Sequence, residues 1–207
     1  DLMDLRSVVP THVPGKRRRR LLVTLCTAAI VVAALVASLV SLALAVSPSF
    51  PDVPTSHRYY AAISGLASQG IIGGYTNGDF GPNDPVKRQQ FAKMAVLTGG
   101  YPVSESDICS FTDVTAGGAD TLFPGNYTAV CAARGITTGK TATTFDPYSY
   151  ITRLQVISMV VRMADNLQPG LLAAVPEALA LRVGWADDPT HGANAARAEH
   201  NGLLAGL

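Results

Sequence analysis

Two arginines 65 residues apart, Arg88 and Arg153, stand where the sequence pattern starts a helix. A cation in the first turn of a helix opposes the macrodipole and costs roughly 0.3–1 kcal/mol, so this placement calls for an offsetting partner. Arginine is a permanently charged planar fork suited to a carboxylate or phosphate, and the N–H groups of a helix start would add to such an anion site. The competing partner is internal. Asp52 and Asp113 open corresponding stretches of the chain, and each can pair with an arginine inside the fold. Both readings hold together if the aspartate orients the arginine.

Other chemistries find little support. Residues 135–141 read Gly-Ile-Thr-Thr-Gly-Lys-Thr, one residue short of a phosphate loop, because the first required glycine falls on Arg134 and the stretch follows a helix instead of a strand. Neither Gly-x-Ser-x-Gly nor His-Glu-x-x-His occurs, and His12, His57, His191 and His200 lack metal-ligand spacing. Asp79 and Asp84 lack the alternating ligands of a calcium loop. Cys109 and Cys131 have no Cys or His neighbours at zinc spacing. In an oxidising compartment they are disulfide candidates worth roughly 3–4 kcal/mol, the alternative being two buried thiols, since Cys131 falls on a helical core position. Asn126-Tyr127-Thr128 matches a glycosylation acceptor. No catalytic residue, metal or cofactor is called for, and the expectation is a non-enzymatic binding module.

The composition sets the context. The chain has 207 residues, 48% apolar and 15% charged, with the apolar excess near the N-terminus. Residues 21–46 carry no charge, and at about 1.5 Å per residue they exceed the roughly 30 Å hydrocarbon core of a membrane. The basic run Lys16-Arg17-Arg18-Arg19-Arg20 precedes them, which places residues 1–20 in the cytoplasm and sends everything after Val46 outward. Ala43-Leu44-Ala45 fits a signal-peptidase site, yet the apolar run is longer than a usual signal core, so a cleaved signal peptide and a retained membrane anchor both stand. Cys26 reads as an apolar filler of that run. Beyond residue 46 ten basic and thirteen acidic side chains leave a net charge of −3, which gives no general attraction to nucleic acid.

The elements that must position the arginines recur. Gly70-Ile71-Ile72-Gly73, Gly135-Ile136-Thr137-Thr138-Gly139 and Gly202-Leu203-Leu204-Ala205-Gly206 each close a helical stretch, and a period near 65 signals repeated supersecondary units. In the first unit the apolar positions Tyr59, Ala62, Ile63, Leu66 and Ala67 predict a helix ending at Gly70. A loop rich in Gly, Asn and Pro follows over 74–85, then a helix over 87–97. The second unit repeats the plan with helices over 127–134 and 153–167. The later one is opened by a Thr152/Gln155 capping box and carries a buried stripe of Val156, Met159, Val160 and Met163. A third copy starts at Trp185, read as packing, with a helix near 193–201 and no second helix before Leu207.

Phe-x-Asp-Val, a helix, Gly-Ile-x-x-Gly-Tyr, Asn-Gly-x-Phe-x-Pro and Pro-Val-x-Arg, in this order, resemble the S-layer homology repeat. The resemblance implies 47–100 as repeat 1, 101–170 as repeat 2, and 171–207 as a linker and partial repeat 3. It implies an all-α fold of helix-loop-helix repeats in a pseudo-threefold prism, behind the N-terminal transmembrane or signal helix 21–46. Grooves between such repeats bind cell-wall polysaccharide non-covalently, often a pyruvylated secondary polymer, and hold exported proteins on the bacterial surface. The family's Thr-Arg-Ala-Glu reads Lys87-Arg88-Gln89-Gln90 and Thr152-Arg153-Leu154-Gln155 here, so the arginine is kept and the glutamate is not. Arg88 and Arg153 are therefore the expected polymer contacts, with Asp52 and Asp113 beside them. His57, Tyr75 and Asn77 are added as ring and polar groups suited to sugar, while Lys140 and Thr141 at the places of Tyr75 and Thr76 make the second groove chemically different. A larger surface enzyme that this chain targets to the wall is the alternative.

Overall fold

In the computed structural model the described residues are 49–176 and 188–206. The apolar span 21–46, its cleavage site, Cys26, Trp185 and Leu207 lie outside them. Among these residues five helices follow in order, α1 Tyr60–Ser68, α2 Arg88–Thr98, α3 Gly125–Ala133, α4 Arg153–Leu167 and α5 Gly192–His200. Among the described residues there is no strand, only two isolated bridges, one of them joining Lys87 to Tyr150. No helix there is long and apolar enough to cross a membrane.

The repeated glycine phrase ends α1, α3 and α5 in one way. Gly70, Gly135 and Gly202 have φ of 71°, 67° and 73°, the left-handed region that glycine enters without Cβ strain. Their N–H groups return to Ala67, Ala132 and Glu199 at 2.8–2.9 Å, and the next N–H groups, of Ile71, Ile136 and Leu203, reach Leu66, Cys131 and Ala198 at 2.9–3.1 Å. This double closure satisfies the last helical carbonyls and turns the following apolar residue back over the helix. Ile71 and Ile136 are buried as a result.

Packing crosses the unit boundaries. α2 lies on α3, α4 lies on α5, and α2 also touches α4. One core joins Ala92, Ala95 and Val96 of α2 to Phe111, Val130, Cys131, Ile136 and Phe145 of the next unit, with Met159 of α4 at its edge. A second joins Ile157 and Val161 of α4 to Leu172, Ala195 and Ala198. The third, Phe50, Val53, Ile63 and Ala67 with Tyr60, Ile72 and Phe80, holds unit 1's opening to α1 and the loop. Each fully buried aliphatic or aromatic side chain contributes about 1.5–3 kcal/mol, so the two shared cores tie the stability of each unit to that of its neighbour.

Two details of the expected stripes change. α1 starts one residue late, with Tyr59 at its N-cap and 45% exposed, so Tyr60 shares the inward face with Ile63 and Ala67 at helical spacing, while Leu66 turns outward. α4 is buried on two sides instead of along one stripe. Met159 and Met163 meet the first core and Ile157 and Val161 the second.

Polar clamps complete the framework. Arg197 on α5 grips Asp165 on α4 with two bonds of 2.5 and 2.7 Å and also donates to the Leu172 carbonyl at 2.7 Å. Asn126 on α3 is 4% exposed, and its Nδ2 donates to the carbonyls of Ser104 and Asp107 at 2.8 and 2.9 Å. The glycosylation acceptor read from the sequence is thus an internal clamp.

Candidate functional site

Asp52 and Asp113 clamp loops. Asp52 accepts the N–H groups of Phe80 and Gly81 at 2.8 and 2.7 Å, and Asp113 accepts those of Phe145 and Asp146 at the same distances. Each clamp sets two rings together, Phe50 on Phe80 at 5.3 Å and Phe111 on Phe145 at 5.5 Å. The Phe80 N–H is the main reason the Asp52 carboxyl lies below the ordinary range. For Asp113 partial burial pushes upward, and the Phe145 and Asp146 N–H groups outweigh it. The direct pairing of these carboxylates with arginine is not formed, because their oxygens are already taken by main-chain donors.

Arg88 instead crosses into unit 2. Its side chain is 4% exposed, Nε donates to the Phe145 carbonyl at 2.8 Å, and the guanidinium lies 4.7 Å over the Phe145 ring. Burial lowers the Arg88 pKa, an effect opposed by the nearby Asp146 and Asp113 carboxylates. The two Nη groups make no hydrogen bond among the described residues, so they keep donors for a ligand.

The start of α2 is closed. The N–H groups of Arg88 and Gln89 donate to the carbonyls of Ser149 and Pro147 at 2.9 and 3.2 Å, and the Ile151 N–H returns to Val86 at 2.8 Å. An open helix N-terminus beside Arg88, expected from the pattern, is therefore replaced by a main-chain seam between units. Gln90 supplies half a capping box by accepting the Lys87 N–H at 2.8 Å, and lysine has no acceptor to return. At α4 the box is complete, with the Gln155 N–H donating to Thr152 Oγ1 at 3.3 Å and the Thr152 N–H donating to Gln155 Oε1 at 3.2 Å. Arg153 beside it is exposed and has no hydrogen-bond or ion-pair partner among the described residues. The two arginines share a sequence position and differ in state, one locked between units and the other free.

Arg88 lines a cleft of about 260 Å³ together with Lys140, Gln155, Ser158, Arg162 and His191. Three permanent cations border it and, among the described residues, no carboxylate does. Asp146 is near, 3.9 Å from Lys140 Nζ, but both groups are about half exposed and the pair is weak. Ser158, 1% exposed, shares a 2.8 Å hydrogen bond with His191 Nδ1. His191 is in turn held by Asp188, which accepts the N–H groups of His191 and Thr190 at 2.7 and 2.9 Å; these bonds lower the Asp188 carboxyl. The loop that nearly spells a phosphate motif offers no main-chain cradle. Its Lys140 and Thr141 N–H groups donate to the Thr144 carbonyl, and the Gly139 N–H donates to Thr137 Oγ1. The donors that this loop turns to the cleft are side chains.

The S-layer homology domain model matches residues 49–92, from the Phe50 opening through Arg88. The chain carries an S-layer homology domain. Among similar proteins, S-layer protein EA1 of Bacillus anthracis is 33% identical over 136 residues, which is 66% of this chain and 15% of that relative. An S-layer protein of Bacillus licheniformis is 33% identical over 129 residues, 62% of this chain and 14% of the relative. A surface layer protein of Brevibacillus choshinensis is 26% identical over 146 residues, 67% and 13%. The chain thus spans about 15% of the length of the relatives it matches.

Of the remaining candidates, Tyr75 lines a cleft. Its hydroxyl donates to Asp84 Oδ2 at 2.8 Å, which pushes the phenol pKa up, and the ring is 52% exposed. Asn77 closes a turn, accepting the Asp79 N–H at 3.1 Å and donating to the Asp79 carboxylate at 2.7 Å. His57 Nδ1 accepts the Tyr59 N–H at 3.2 Å. Cys109 and Cys131 are free thiols packed at the first core. Burial pushes the Cys131 thiol up to about 12 and raises that of Cys109.

Arg162, Ser158 and His191 were not singled out as site residues. Arg162 had a readable signal, since Gln155, Ser158 and Arg162 fall at i, i+3 and i+7 on one helix face. His191 reaches the cleft from the third unit, and no sequence spacing shows that.

Proposed function

We propose that this chain is a non-catalytic anchoring module, exported to the bacterial surface, that holds an acidic cell-wall polysaccharide between its units. The observation that carries the proposal is the cleft bordered by Arg88, Lys140 and Arg162 with no carboxylate in its wall among the described residues. A uronate, a pyruvate ketal or a phosphate on a wall polymer supplies the complementary charge, and arginine meets a planar carboxylate through two parallel hydrogen bonds. Arg153, free at the start of α4, is a second contact for the same polymer. The matched S-layer homology domain and the S-layer relatives support the surface location. The helix pairing, with one unit's later helix on the next unit's first, supports a prism built by repeating that step around an axis.

Because the chain spans about 15% of its relatives' length, a second reading is that it targets a longer surface protein whose other parts set the activity. The anchor role is common to both. The test is retention of the full chain on purified bacterial cell walls before and after a Lys140→Gln/Arg162→Gln double substitution. Both side chains lie outside the cores, so folding is preserved, and binding should weaken about tenfold or more. Undiminished retention of the double variant rules out this cleft as the polymer site.

A further inference from the structure

Two of the six asparagines are followed by glycine, Asn77-Gly78 in the unit 1 loop and Asn201-Gly202 at the end of α5. The dipeptide has a chemistry of its own. The main-chain nitrogen after an asparagine can attack the side-chain carbonyl carbon, and a residue without a Cβ leaves that nitrogen least hindered. What separates the two sites is how firmly the fold holds the asparagine side chain.

Asn201 is clamped across elements. Its Nδ2 donates to the carbonyls of Ala173 and Arg197 at 2.9 and 2.8 Å, and its Oδ1 accepts the Ala173 N–H at 2.8 Å. Leu172, next to that partner, is buried in the second core with Ala195 and Ala198 of α5. Freeing Asn201 therefore means parting α5 from the segment it packs on. Asn77 is held only from within its own turn. Both of its side-chain bonds go to Asp79, Oδ1 accepting the N–H at 3.1 Å and Nδ2 donating to the carboxylate at 2.7 Å. Asn77 and Gly78 are exposed, and a Cβ built on Gly78 meets nothing within 4 Å. A fluctuation of this turn frees the side chain with every core intact. The attacking nitrogens do not discriminate between the sites, since the Gly78 and Gly202 N–H groups each donate to one carbonyl, of Tyr75 and Glu199, at 3.0 and 2.9 Å.

We propose that Asn77 is a site of spontaneous deamidation in the folded chain, where Asn201 is protected, and that the reaction releases the unit 1 loop from its Asp52 clamp. The Gly78 nitrogen bonds to Asn77 Cγ and gives up its proton, the Cγ–Nδ2 bond breaks, and ammonia leaves behind a five-membered succinimide. Water then opens the ring. Breaking the new bond from nitrogen to Cγ restores the main chain with an aspartate, and breaking the bond from nitrogen to the original main-chain carbonyl gives isoaspartate, whose main chain runs through Cβ and Cγ. Either product adds a negative charge beside Asp79, in place of the amide that donated to it. Isoaspartate also lengthens the main chain between Tyr75 and Asp79, whose bond of 2.7 Å from the Tyr75 N–H to the Asp79 carbonyl closes the turn. Phe80 and Gly81, the residues that donate to Asp52, follow directly. The matching residues 142–143 of unit 2 are Ala and Thr, so its Asp113 clamp is exempt.

The experiment ages the full chain at pH 8, folded and in concentrated urea, and follows each asparagine by peptide mass mapping and an isoaspartate assay. In the folded chain Asn77 should convert about tenfold or more faster than Asn201, while in urea the two rates agree within about twofold. The aged fraction, isolated by its added charge on an anion-exchange column, is then compared with fresh chain by hydrogen exchange. The Phe80 and Gly81 amides should exchange faster in it, and those of Phe145 and Asp146 should be unchanged. Equal conversion of Asn77 and Asn201 in the folded chain, or conversion of Asn77 only in urea, overturns the site. Unchanged exchange at Phe80 and Gly81 in the aged fraction overturns the release of the clamp.

Discussion

Gly135 and Gly139 lie four residues apart in one loop with nearly the same backbone, φ of 67° and 78°, yet in different surroundings. A Cβ built on Gly135 meets nothing within 4 Å, whereas on Gly139 it meets Phe111 Cε1 at 2.6 Å and the carbonyls of Thr141 and Thr144 at 2.7 Å each. Gly135→Ala therefore carries only left-handed strain, about 1–2 kcal/mol, less the 0.4–1 kcal/mol gained by restricting the unfolded chain, for a net loss of about 1 kcal/mol. Gly139→Ala carries the same strain plus an overpacking cost of about 1–3 kcal/mol, since two of the three crowded atoms are main chain and cannot swing away. The expected losses are about 1 and about 2–4 kcal/mol. They are read from urea unfolding of the full chain followed by helical circular dichroism, with slope and midpoint fitted separately. Gly139 also lines the cationic cleft, so its substitution should weaken wall binding while Gly135→Ala leaves it intact. Equal destabilisation by the two substitutions would refute the reasoning, because the local geometry gives them the same strain and only one a collision.

Three further outcomes follow from named contacts. Arg197→Met removes the two bonds to Asp165 and the one to Leu172; with Asp165 well exposed the pair is partly screened, so a loss of about 1–2 kcal/mol is expected in thermal unfolding, and salt should reduce it. Asp52, Asp113 and Asp188 have folded-state carboxyls below the ordinary value, so their contribution is complete above about pH 4 and is lost as pH falls through the depressed values; Asp113→Asn should flatten that acid limb, measured by urea midpoints from pH 6 to 2. Cys131, 0% exposed and with its thiol pushed up to about 12, should resist iodoacetamide at pH 8 until the chain unfolds, while Cys109, at the edge of the core, reacts first; mass spectrometry of timed samples decides the order.

The helices were legible because glycine caps and apolar spacing are local signals. The α4 bounds agree with the pattern, and the Thr152/Gln155 box forms as read. The α1 face slipped by one residue because Tyr59 and Tyr60 are chemically identical, and only the cap geometry chooses between them. The site was harder. Asp52 and Asp113 look like partners for arginine in a linear reading, and the decisive competitors, the N–H groups of Phe80 and Phe145, belong to loops about thirty residues on. Arg88 was found by residue type, but its burial under unit 2 and the sealing of its helix start depend on residues 145–151. His191 enters the cationic cleft from a third unit. A cleft assembled from three repeats leaves each repeat only a fragment of the pattern.

The shared cores fix where such a chain can be recombined. The first core ties α2 to α3 across the boundary near residue 100, so a junction placed between units would separate two halves made for one another. A junction in the turn-rich loop between α1 and α2 leaves that pair whole and divides only the smaller contacts around Phe80. The exchangeable part is the α2–α3 pair, half a repeat out of phase with the sequence period. Chimeras cut at that phase would pass on the α2–α3 contacts whole and would need the new host to supply the places of Phe145 and Met159.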